Sequence, residues 1–164
     1  MVAVADTSPL NYLILVEHVE LLPELFGRVI IPLAVWRELN DSEAPEQVRR
    51  WVRSKRSWID LRSAGSIDRG LDHLDSGEQE AIAVAEQLAG SVVLLDETDA
   101  RREAMLRKIP TMGTLGILRE GARRNQLDLF AALAALKRTS FFVSERLIQT
   151  LLEEEIERRR QCSS

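Results

Sequence analysis

One cysteine, Cys162, and two histidines, His18 and His73, are the only soft or imidazole ligands in 164 residues. A lone thiol in a polar C-terminal stretch excludes both a disulfide framework and a cysteine metal site. His18 reads as a residue at a helix junction and His73 stands apart from it, which leaves neither a zinc site nor a catalytic triad. Aromatic residues make up 5% of the chain, and Trp36, Trp51 and Trp58 recur at helical or strand spacing, the pattern of core or interface anchors. No apolar run approaches the roughly 18–20 residues that a membrane-spanning helix requires. The first residues lack the basic segment and cleavage site of a secretory leader, so the expectation is a cytoplasmic protein without a membrane. Net charge is −4, which does not advertise nucleic-acid binding. The segment Gly113-Thr114-Leu115-Gly116 lacks the lysine of a phosphate-binding P-loop. Asp6 is followed by Thr7 and Ser8, so the Asp-x-Asp pattern of enzymes that form an aspartyl-phosphate is also missing.

A hydrophobic content of 45% and a charged content of 29% are ordinary for a globular protein. The length fits one domain, expected over residues 1–160, with a C-terminal helix at about 144–160. Basic residues gather at Arg49, Arg50, Arg53, Lys55 and Arg56, at Arg101, Arg102, Arg107 and Lys108, and at Arg119, Arg123 and Arg124. Each cluster reads either as a solvated helix face balanced by nearby Glu or as a track for a phosphate backbone.

Strand-like and helical patterns alternate, which predicts an α/β fold: a three-layer, doubly wound sheet of four or five mainly parallel strands flanked by helices. Residues 2–5, 28–31 and 58–61 and a run ending at Leu95 read as strands, and residues 109–112 as a short extended piece. Helices are expected at 9–16 with Ser8 as cap, at 19–26 stopped by Gly27, at 33–39, 43–54 and 78–88, the last ended by Gly90. Further helices are expected at 99–108, 115–124 and 128–137, and from Ser144 to about Arg159.

Four acids stand out on this framework: Asp6, Glu38, Glu80 and Asp96. Asp6 and Asp96 each follow a short apolar strand, and in an open parallel sheet functional groups gather beyond the carboxyl ends of the strands. Glu38 lies two turns into the helix after the second strand. Glu80 lies in the first turn of the expected 78–88 helix, where the dipole favours a carboxylate. If both helices begin at the same sheet edge, all four converge. Close carboxylates repel unless neutralised, and hard oxygen ligands favour Mg2+ or Mn2+ over zinc. The plainer reading makes Asp6 and Asp96 helix caps and the glutamates surface residues.

In this order the segments resemble a known family. Val4-Ala5-Asp6-Thr7-Ser8-Pro9-Leu10 is similar to the opening strand and aspartate of PIN-domain ribonucleases. Residues 31–39, containing Trp36-Arg37-Glu38-Leu39, resemble that family's second strand and glutamate-bearing helix. Leu74-Asp75-Ser76-Gly77-Glu78-Gln79-Glu80-Ala81-Ile82-Ala83 resembles its third acidic element and Val93-Leu94-Leu95-Asp96-Glu97-Thr98-Asp99 its fourth. Met112-Gly113-Thr114-Leu115-Gly116-Ile117-Leu118 is similar to a later signature of the prokaryotic, toxin-like branch. The resemblance implies a PIN-like sheet, a divalent metal and hydrolysis of RNA phosphodiester bonds. Carried over by position, Asp6, Glu38 and Asp96 become metal-binding catalytic acids. The third element offers Glu78 and Glu80, of which Glu80 is preferred because it precedes Ala81-Ile82-Ala83. Asp99 becomes an auxiliary ligand. Thr7, Ser8 and Thr114 would orient carboxylates or phosphate, Glu78 would lie close behind, and Arg101 would pair with an acid or with substrate phosphate.

The resulting expectation is a metal-dependent endoribonuclease and homodimer, the toxin of a toxin–antitoxin pair with an antitoxin protein as partner. The competing expectations are a non-catalytic nucleic-acid or protein binding module on the same fold, and a phosphoryl-transfer enzyme with Asp6 as nucleophile.

Overall fold

The computed structural model describes residues 1–162. Five parallel strands form one sheet in the order β3-β2-β1-β4-β5: β1 Val2–Ala5, β2 Arg28–Pro32, β3 Ile59–Arg62, β4 Val92–Leu94 and β5 Thr111–Met112. The chain steps outward from β1 through β2 to β3, then returns to lay β4 on the other side of β1. This reversal creates a topological switch point between β1 and β4, the place where such sheets open a crevice beyond their strand ends. Asp6 and Asp96 follow these two strands.

Alternation along the strands sorts side chains into two layers. Ala3, Ala5, Val29, Ile31, Val92 and Leu94 face one hydrophobic cluster. It is covered by α1 Thr7–Leu15, α2 Leu21–Phe26, α3 Leu33–Leu39, α4 Glu46–Arg53, α7 Thr114–Arg123, α8 Leu129–Lys137 and α9 Glu145–Cys162. Val4, Ile30, Val93 and Leu95 face the other cluster, covered mainly by α5 Ser76–Glu86 and α6 Thr98–Leu106. The expected three-layer, doubly wound architecture is present, with the nine helices of the described residues on both faces.

Several boundaries differ from expectation for physical reasons. Helix α1 starts at Thr7 rather than Pro9, so Asp6 takes the N-cap position and Ser8 lies inside the first turn. Helix α4 starts at Glu46, after Pro45, because Asp41 instead organises a turn that accepts the Glu43 N–H. Helix α5 begins at Ser76 under a complete Asp75/Glu78 capping box and ends at Glu86, four residues short of Gly90. Gly27 does close α2, in a left-handed conformation (φ 75°) suited to glycine. Ser144 accepts the Leu147 N–H and starts α9, which docks through Ile148 and Leu151. Trp51 is buried and Trp36 and Trp58 pack against the same cluster, so the tryptophans are core anchors. Among the described residues no helix is long and apolar enough to cross a membrane.

Candidate active site

Asp6 is 4% exposed and its Oδ1 has no hydrogen-bond partner among the described residues. It occupies the N-cap position of α1, yet its side chain makes no capping hydrogen bond. Burial pushes its carboxyl well above the usual carboxylate range. The Thr7 backbone N–H pulls the other way, and the charges of Asp75, Glu78 and Glu38 push it higher again. Simple capping therefore does not explain this residue. Isolated, unpaired carboxylate oxygen is costly inside a protein, and here it lies among other acids.

Glu38 comes to the same place from α3. Its Oε2 accepts from Thr7 Oγ1 at 2.5 Å, and its Oε1 accepts weakly from Ser76 Oγ at 3.4 Å. The first turn of α5 fits against the pair through Gly77: a Cβ there would lie 2.9 Å from Asp6 Oδ1 and 3.0 Å from Glu38 Oε1. A glycine in a helical first turn sacrifices helix propensity, and this close approach is its reason. Asp96 joins from the β4 end. It accepts from Ser8 Oγ at 2.7 Å and from both Thr114 Oγ1 and the Thr114 N–H, each at 2.7 Å. These bonds tie Asp96 to the first turns of α1 and α7 rather than making it a cap for α6. Thr7, Ser8 and Thr114 thus each hold one of the acids.

The two candidates of α5 part company. Glu78 folds back toward the helix start, where its carboxylate accepts the Asp75 N–H at 3.1 Å. Burial raises its proton affinity, the Asp75 N–H lowers it, and the charges of Asp75, Glu97 and Glu38 raise it further. Glu80, one turn away from Gly77, spends both oxygens elsewhere: Oε2 accepts the Ala34 N–H at 2.6 Å and Oε1 the Ala64 N–H at 3.2 Å. It caps α3 from outside, because Pro32 at that N-cap has no side-chain donor or acceptor to do so. The small apolar run that favoured Glu80 reflects packing of α5 on the sheet. Asp99 lies exposed in the first turn of α6, and neither it nor Arg101 has a hydrogen-bond or ion-pair partner among the described residues. The Arg101 guanidinium nevertheless stands beside Asp96: a Cβ on Gly113 would lie 3.3 Å from the one and 3.1 Å from the other.

The sequence reading gives no role to Asp75, Glu97 or Gly77. The Asp75-Ser76-Gly77-Glu78 spacing is a capping-box signature and was the available signal that Glu78, not Glu80, turns back toward the strand ends. A family model for the PIN domain matches residues 2–157. The chain belongs to the PIN-domain family. PIN domains are a nuclease-type fold, so the crevice at the switch point is a candidate nuclease centre. A search of curated proteins gives no match.

A buried, orphaned oxygen on Asp6, further hard carboxylate donors and a side-chain-free wall at Gly77 fit a small divalent cation. Among the described residues no three acid, histidine or cysteine side chains already stand as a closed ligand set. Hydroxyl and backbone donors instead hold Glu38, Asp96 and Glu78 individually.

Proposed function

We propose that this PIN domain is a divalent-metal-dependent endoribonuclease in which Asp6, Glu38, Glu78 and Asp96 surround Mg2+ or Mn2+. Glu78 replaces Glu80 in this assignment, and Asp99 serves at the rim. The observation that carries the reading is the buried Asp6 Oδ1 without a partner, crowded by the charges of Glu38, Asp75 and Glu78. When bound, such an ion would activate a water and offset charge on the phosphate being cut. The chain's own residues do the positioning. Thr7 orients Glu38, Ser8 and Thr114 orient Asp96, and the Asp75 N–H holds Glu78. Arg101 is available to pair with substrate phosphate. A role as the toxin of a toxin–antitoxin pair, working as a cytoplasmic homodimer with an antitoxin protein, extends this reading. It rests on the likeness of residues 112–118 to the toxin-like branch.

A non-catalytic binding module is the competing reading, favoured by the lack of a closed ligand set among the described residues. Cleavage of a mixed single-stranded RNA panel with Mg2+ or Mn2+, abolished by EDTA, separates the two. Asp6→Asn should lower cleavage by more than roughly 100-fold, beyond the usual cost of losing a group that merely orients a metal ligand. The circular dichroism spectrum should be unchanged. Full activity of that variant with Mn2+ would overturn the assignment.

A further inference from the structure

Past Asp96 the crevice opens into a cleft of about 470 Å3, lined by Arg101, Met112, Leu115, Phe142 and Leu147. We propose that this cleft seats an unpaired nucleobase of the substrate, stacked on the Phe142 ring, while Arg101 meets the adjoining phosphate. The proposal rests on the nuclease reading and adds the residues of this chain that would hold one base and its phosphate.

Phe142 is 94% exposed, an unfavourable place for an apolar ring without a partner. The segment that presents it is fixed on both sides. Phe141 packs edge-on against Tyr12, with ring centroids 4.9 Å apart. The Tyr12 hydroxyl lies 3.0 Å from Ser140 Oγ, the Phe141 N–H donates to Thr139 Oγ1, and Ser144 caps α9. With Phe141 held inward, extended backbone sends the next side chain outward. Arg101 opens onto the same cleft with no hydrogen-bond or ion-pair partner among the described residues, and Asp96 also lines the cleft. A flat apolar face, a cation and the proposed nuclease centre beside one cleft are the elements that recognise one base and its phosphate. The volume lies within the range of small-ligand clefts, about 300–1,000 Å3. A stable dimer needs about 800 Å2 per partner, more than one exposed ring and the half-exposed Leu147 supply. Bases are free to stack in this way only where RNA is unpaired.

The test measures binding of fluorescent RNA to the cleavage-deficient Asp6→Asn protein, alone and combined with Phe142→Ala or Phe142→Trp. Phe142→Ala should weaken single-stranded RNA binding roughly tenfold, Phe142→Trp should keep it, and affinity for a duplex should not change. An abasic residue beside the cut site should erase the difference between Phe142 and Ala. Equal affinity of the Phe142→Ala protein for single strands overturns the proposal. So does an equal loss on duplex RNA, or conversion of a dimer to a monomer in sedimentation, which would give the cleft to a second copy. Cleavage by the unmodified protein is scored separately. Its absence alongside the predicted binding pattern removes the nuclease reading and leaves the base seat standing.

Discussion

Gly77 shows how closely one residue is fitted to its site. Its missing side chain lets α5 approach Asp6 Oδ1 and Glu38 Oε1, and Val35 Cγ2 lies only 3.3 Å from the Cβ position. Alanine would add about 1 kcal/mol of helix propensity while placing a methyl group against two carboxylates. Gly77→Ala should therefore change stability by less than about 1 kcal/mol yet reduce metal-dependent cleavage at least roughly tenfold. Urea unfolding and a cleavage assay check the two halves, and unimpaired cleavage would refute the close-packed site. Asp6 and Asp96 were legible in the sequence because a carboxylate directly after a short apolar run marks a strand end. Gly77 was not, since nothing in the sequence tells which distant side chains a helical glycine will meet.

The different hydrogen-bond partners of Glu78 and Glu80 follow from the elements that carry them. Helix α5 reaches the crevice with its first residues only, and one turn later it faces the start of α3. Both Glu80 oxygens accept backbone N–H groups there, so glutamine, whose amide nitrogen cannot accept, leaves one of them unpaired. Glu80→Gln should cost about 1–3 kcal/mol, lowering the melting temperature by roughly 2–4 °C per kcal/mol, equally with and without divalent metal. A variant that melts normally but binds Mn2+ poorly would return Glu80 to the metal site. Helix spacing alone could not separate residues 78 and 80, because the choice depends on where α3 begins in space.

A second element-scale device lies far from the crevice. Glu155 is buried in α9, where Arg158 and Arg159 hold its carboxyl down to about 2. A depressed carboxyl contributes stability above its unfolded pKa and loses it as pH falls through the folded value. Unfolding free energy should thus decline between about pH 4.5 and pH 2, with a shallower slope in Glu155→Gln than in the unmodified protein. Identical slopes in urea titrations would show that the arginine clamp contributes nothing.

At the scale of the molecule, strand order does the main work. The sequence shows an alternation of strands and helices, and from it the α/β class, the parallel sheet and the approximate elements follow. It does not show that β4 returns beside β1, which is a consequence of long-range pairing. That return brings Asp6 and Asp96 to one switch point and lets α3 and α5 converge above it. On the proposed reading this convergence makes one cation site from Asp6, Glu38, Glu78 and Asp96. Anomalous diffraction from crystals grown with Mn2+ tests it most directly. A manganese peak is expected in front of Gly77, within coordination distance of Asp6 Oδ1 and a Glu38 oxygen. A peak bound by Glu80 instead, or no peak in the crevice at saturating Mn2+, would contradict it.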